Sequence, residues 1–204
     1  MIRLAVLVSG RGSNLQAILA AAAAGRVAAD PVLVISDNPQ APALDIARSY
    51  GLAVLGVAPK EAGGRAAFFR LVERELAAAR VDLVALAGFM RILPAHIVSR
   101  FRWRILNIHP SLLPAFPGLD APRQAIEYGV RVSGCTVHFV DEGVDSGPIV
   151  LQAAVPVLPG DTPDTLAARI REEEHRIYPE AIHLFSQGRL RVEGRRVRIL
   201  DPLA

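Results

Sequence analysis

From residue 4 to residue 108, short β-branched runs alternate with helix-length segments, and this alternation limits the fold more than any other feature. Residues 4–8, 31–36, 53–57, 81–87 and 103–108 read as strands. Residues 13–24, 43–50 and 65–80 read as helices, the last with Phe68, Leu71, Val72, Leu76 and Ala79 at helical spacing. The run 81–87 is continuously apolar and 103–108 nearly so, which suits strands buried on both faces of a parallel sheet. The pattern predicts an α/β fold: an open, doubly wound, mostly parallel sheet of Rossmann-like type.

Beyond residue 110 the rhythm changes. Residues 132–140 and 149–157 read as strands separated only by the loop 141–148, so a mixed or antiparallel C-terminal part is expected. Residues 161–188 form a long helical stretch, with Thr162-Pro163 as cap and first turn and Gly188 as its stop. Pro179 is expected to end or kink it near the middle. There is no repeat, linker or break in composition, so a single domain over 1–204 is expected.

Composition narrows the functional classes. Hydrophobic residues make up 51% of the chain and charged ones 21%, as in a folded globular protein. The sequence pI is about 9.6, yet the net charge is only +3 and most arginines are scattered. The one dense basic stretch, Arg189, Arg191, Arg195, Arg196 and Arg198, alternates with Leu190, Val192, Val197 and Ile199. It reads as the solvated face of an edge hairpin, and no aromatic or motif signal for nucleic acid accompanies it. The single cysteine, Cys135, excludes an internal disulfide and suggests a reducing cytoplasm; its strand context suggests a packed, inert thiol. No apolar run approaches the ~18 residues of a membrane span, and residues 4–8 are too short for a signal peptide.

Three segments carry polar groups where chemistry is plausible. Ser9-Gly10-Arg11-Gly12-Ser13-Asn14 joins the first strand to its helix. It is either a tight turn capped by Ser13 or Asn14, or an anion site made by free amides at the helix start. A dinucleotide fingerprint would need glycine where Leu15 stands, although Asp37 lies where a ribose-binding acid would sit. In "LNIHPSLLP", Asn107 and His109 are two apart on a strand and share a face at its carboxyl end, the edge where open α/β sheets bind ligands. An amide N–H there can stabilise an oxyanion while the imidazole moves a proton. The loop 141–148 brings Asp141, Glu142 and Asp145; spacing leaves open which acid, if any, reaches His109 to raise its pKa. His96, His138, His175 and His183 form no ligand pattern, so no metal site is expected.

Five stretches, "VLVSGRGSNLQA", "LAGFMRIL", "LNIHPSLLP", "GCTVHFVDEGVDSGPIV" and "EEHRIYPEAI", run in order from residue 6 to 182. Through them the chain resembles the phosphoribosylglycinamide formyltransferases, a family of folate-dependent enzymes. The resemblance implies transfer of the formyl group of 10-formyltetrahydrofolate, as cosubstrate and without a metal, to the amine of glycinamide ribonucleotide in purine synthesis. It implies His109 as general acid/base, Asn107 as oxyanion donor and Asp145 as the acid that raises the histidine pKa. Gly12, Ser13 and Asn14 would hold the ribonucleotide, with Glu174 on its sugar. Arg65, Met90, Arg91, Ile92 and Leu93, with Asn107, would take the folate. The ribonucleotide site would fall mainly in residues 1–100, the folate and catalytic site mainly in 86–150. A cytoplasmic monomer or homodimer is expected, with neither nucleic acid nor membrane as partner.

The chain departs from that pattern at Asp120 and Pro122, where relatives often carry histidine or other polar residues, and at Arg171, one turn from Glu174. The nearest rival is a formyltetrahydrofolate deformylase, which would send water to the same carbon. Deformylases usually carry an extra N-terminal domain, whereas the first strand here begins at residue 2. A nucleotide-binding Rossmann-like module is the remoter alternative.

Overall fold

The computed structural model describes residues 1–202. The chain divides into two compact units, one from Met1 to Leu106 and one starting at Asn107.

The first unit contains β1 (Ile2–Val8), α1 (Ser13–Ala23), β2 (Ala29–Ser36), α2 (Pro42–Ser49), β3 (Ala53–Gly56), α3 (Arg65–Ala78), β4 (Leu83–Leu86) and α4 (Ala95–Arg100). Its strands lie in the order β3-β2-β1-β4, each pair parallel. In the middle strand β1, residues 4–8 are wholly buried, which explains their unbroken apolar run. From β1 the chain moves outward through β2 and β3, then returns to the other side of β1 at β4. That reversal opens a crevice at the carboxyl ends of β1 and β4, the usual ligand position in such sheets. There Ser9 donates its backbone N–H to Gly88 O at 3.1 Å.

Strand β5 (Ile105–His109) carries the division between the units. The second unit continues with α5 (Ala121–Tyr128), β6 (Val132–Phe139), β7 (Ile149–Pro156), α6 (Pro163–Ser186), β8 (Leu190–Glu193) and β9 (Arg196–Ile199). Its order is β6-β7-β9-β8; β6 and β7 pair antiparallel, as do β8 and β9, while β7 meets β9 in parallel. The fold is thus the open, mostly parallel α/β sheet expected, with a mixed C-terminal part and the arginine-rich hairpin at its edge.

Two short helices were not expected. Helix α4 starts behind Pro94 and has only 6 residues; α5 has 8 and starts at Asp120 with Pro122 in its first turn. The Asp120 and Pro122 departures thus open a helix, Asp120 taking a left-handed φ of 55°. Of the two expectations at Pro179, the ending is corrected: α6 is one helix of 24 residues with Pro179 inside it. Proline there forgoes one backbone hydrogen bond, a loss of about 3 kcal/mol in an exposed helix. Here Ile177, Tyr178, Ala181 and Ile182 are buried around it against β6 and β7, and that packing holds the helix together. At its start Thr162 and Thr165 cap each other, and Arg169 grips Asp161 through both guanidinium nitrogens.

Candidate active site

In the second unit, the pleat of β5 turns Asn107 and His109 to one side, as their spacing requires. His109 is 4% exposed. Its Nδ1 lies 3.3 Å from Asp145 Oδ2, and its Nε2 donates to the carbonyl of Phe116 at 2.8 Å. Of the three loop acids it is therefore Asp145 that reaches His109. Asp141 instead organises its own loop, accepting from Ser146 Oγ at 2.6 Å and Gly143 N at 3.1 Å.

A residue that sequence reasoning set aside completes the cluster. His138, on β6 and 2% exposed, places Nε2 3.1 Å from Asn107 Nδ2 and 3.7 Å from Asp145 Oδ1. Its Nδ1 faces the carbonyl of Phe139 at 2.9 Å, so Nδ1 carries the proton and Nε2 accepts from the Asn107 amide. The other Asn107 hydrogen points at Asp145 Oδ1 across a long 3.4 Å. The period-two argument used for Asn107 and His109 also pairs Thr136 with His138, and that signal was available. Thr136 donates to Ser111 O at 2.7 Å and accepts from Leu113 N at 3.0 Å, fixing the chain just after His109.

The segment then folds back over the cluster. Phe116, at a φ of 52°, brings its carbonyl to His109, and Gly118 donates its N–H to Asp145 Oδ2 at 2.8 Å. Asp145 itself sits at a φ of 50°, a backbone state that few non-glycine residues adopt. Burial pushes the His109 pKa below its ordinary 6.5. The Phe116 carbonyl and the Asp145 carboxylate pull it up, and nearby His138 pushes it down. Asp145 thus raises it, in the direction expected of that acid, but burial outweighs the carboxylate. For Asp145, burial acts upward, yet His138, Gly118 and His109 together hold its carboxyl below the usual range.

The first unit holds the sequence-selected turn and donor-side residues. Gly12 caps α1 at a φ of 82°; a side chain there would come within 2.7 Å of Ala43 Cβ. Ala43 N also donates to Gly10 O at 3.2 Å, so α2 shapes this turn. Helix α1 has no side-chain cap from its N-cap residue and no acid in its first turn, which suits an anion at its start. Past β4, Met90, Arg91 and Ile92 are exposed and Leu93 is buried. Arg65, first residue of α3, donates to Ile92 O at 2.9 Å. Asp37, at the position a ribose-binding acid would take, is engaged by Arg91 at 2.6 Å.

In the second unit, Glu174 is buried on α6. Cys135 is buried as well; burial, with the Glu174 charge added, pushes its thiol up to about 12. It is the inert thiol expected. Among the described residues, no group of three or more His, Cys, Asp or Glu could hold a metal ion, and no helix is long and apolar enough to cross a membrane.

An amide, two imidazoles and a carboxylate gathered at the end of a strand in an α/β fold are the makings of an acid–base enzyme. The chain belongs to the formyl transferase family, whose model matches residues 2–182. It is 44% identical to the phosphoribosylglycinamide formyltransferase of Escherichia coli, covering 92% of this chain and 88% of that one. It is 50% identical to the trifunctional purine biosynthetic protein adenosine-3 of Drosophila melanogaster over 91% of this chain, and spans 14% of that protein's length. The crystal structure of glycinamide ribonucleotide transformylase 1 from Symbiobacterium toebii superposes with a TM-score of 0.96 at 58% identity, over 98% of this chain and 95% of that one.

Proposed function

We propose that this protein transfers the formyl group of 10-formyltetrahydrofolate to the amine of glycinamide ribonucleotide, giving formylglycinamide ribonucleotide in purine biosynthesis. The observation that carries this reading is the cluster itself: Asn107 and His109 at the end of β5, each within reach of the Asp145 carboxylate. The named relatives and the "SGRGSN" turn support the choice of acceptor.

The amine attacks the formyl carbon, and a new C–N bond forms as the carbonyl oxygen takes on negative charge. Asn107 supports that oxygen with the hydrogen now directed weakly at Asp145, since a 3.4 Å contact gives way to a better acceptor. A donor of this kind is worth about 3 kcal/mol in the transition state. The bond from carbon to the folate nitrogen then breaks, and the proton lost by the amine passes to that nitrogen. His109 is the carrier. Asp145 holds its Nδ1 side, so Nε2 is the nitrogen that meets the substrate, exchanging the Phe116 carbonyl for it. Burial favours the neutral ring. Once the substrate displaces the Phe116 carbonyl, the ring proton sits on Nδ1 against Asp145, and Nε2 is left with the lone pair that accepts the proton of the amine. Gly12, Ser13 and Asn14 hold the ribonucleotide through the start of α1, with Glu174 on its sugar. Arg65 and residues 90–93 take the folate.

The test mixes the protein with 10-formyltetrahydrofolate, with and without glycinamide ribonucleotide, and follows tetrahydrofolate release. Release that depends on the ribonucleotide is expected. Equal release without it replaces the transferase by a deformylase.

A further inference from the structure

Residues 90, 91 and 92 follow the carboxyl end of β4, and each is held by a side chain from a different element. Met90 donates its backbone N–H to Ser9 Oγ at 2.8 Å, Arg91 Nε donates to Asp37 Oδ2 at 2.6 Å, and Ile92 O accepts from Arg65 at 2.9 Å. The middle contact is the unusual one. The Asp37 side chain is 7% exposed against 46% for Arg91. Its second oxygen, Oδ1, is buried with no hydrogen-bond partner.

A buried carboxylate with a bare oxygen is costly. Its setting makes it the fixed member of the pair. Ser36, immediately before it, is fully buried in β2, and the backbone just after is tied back by Asn38 N to Ser36 Oγ at 3.1 Å. Arg91, half in solvent, is the tethered member. Met90 and Ile92 on either side are each 62% exposed, so the tether holds the backbone while leaving both apolar side chains open.

We propose that Asp37 is a positioning residue for the formyl donor: through Arg91 it fixes the backbone of residues 90–93 in the shape that receives the folate ring. This rests on the reading that residues 90–93 take the folate. Asp37 contacts no substrate, so its removal weakens donor binding and leaves acceptor binding and the chemical step in place.

Tetrahydrofolate binding by calorimetry and steady-state kinetics with both substrates are measured for the wild type, Asp37→Asn, Arg91→Gln and the double variant. Asp37→Asn is expected to raise the tetrahydrofolate Kd and the donor KM about tenfold. The ribonucleotide KM and the kcat at saturating donor stay within about twofold. The double variant is expected to match Arg91→Gln alone, since the two groups act as one unit. Unchanged donor binding in Asp37→Asn, or losses that add in the double variant, overturns the proposal. Should Asp37→Asn fail to fold, Arg91→Gln decides, because unchanged donor binding there leaves Asp37 nothing to act through. A wild type that turns over both substrates normally while tetrahydrofolate gives no protection of residues 90–93 from hydrogen exchange fails on the folate reading instead.

Discussion

The turn after β1 and the segment after β5 both leave the carboxyl end of a strand, and they are built on opposite plans. The first is built around Gly12 at a φ of 82°, at a helix start with no side-chain cap and no acid in its first turn. The second carries its chemistry in buried side chains, His109 and His138 at 4% and 2% exposure, walled in by Phe116 and Gly118. Backbone amides offer a fixed field that suits holding an anion. Moving a proton requires a group whose pKa the surroundings can shift, and that takes burial and neighbours. One region is fitted to binding, the other to reaction.

Substitutions can break this contrast, and the largest effect belongs to the reacting region. His109→Ala is expected to lower kcat by about 10²–10⁴-fold while the melting curve stays close to wild type. Near-normal turnover would remove the proton carrier from the scheme. Asn107→Ala comes next, with kcat down about 10²–10³-fold and both KM values little changed, as measured under saturation with each substrate. In the turn, Gly12→Ala is expected to destabilise by about 1–3 kcal/mol in denaturant titration, from the φ of 82° and the collision with Ala43. Its kinetic effect should fall on the ribonucleotide KM and spare the donor KM.

The smallest effect is a shift along the pH axis. The His109 pKa lies below 6.5 in the folded protein, and Asp145 is one of the groups holding it up. Asp145→Asn removes that negative charge, so the acid limb of the kcat/KM profile moves to lower pH, and NMR titration of the His109 ring should show the same direction. The linked effect on stability follows. Neutral His109 does not oppose folding above pH 6.5, and its contribution is lost as pH falls from 6.5 through its lower folded value.

How much was legible in the sequence followed the range of the interaction involved. Strand and helix periodicity is local, and it placed every element of the first unit except α4 to within a few residues. Asn107 and His109 were paired by the same local rule. Asp145 was singled out from Asp141 and Glu142 only through family resemblance, because the choice depends on how the loop 141–148 curls. His138 was passed over because it forms no ligand pattern with the other histidines; its polar face, shared with Thr136, lies in a strand buried from 133 to 139. The partner of Asp37 was hidden for a similar reason. The place of Asp37 after the second strand is local information, whereas its partner Arg91 lies 54 residues away. The short helices α4 and α5 have too few turns for a period to emerge, and Pro94 and Pro122 were their only signals.

The Ala43 contact has a consequence for how this protein can change. The space beside Gly12 is filled by a methyl group from α2, and Ala43 N is tied to Gly10 O. A mutation that enlarges residue 43 therefore edits the turn proposed to hold the ribonucleotide, though it alters no residue of the "SGRGSN" motif. A search for variants with a reshaped acceptor preference has its most economical starting point on that helix, at a position no motif would single out.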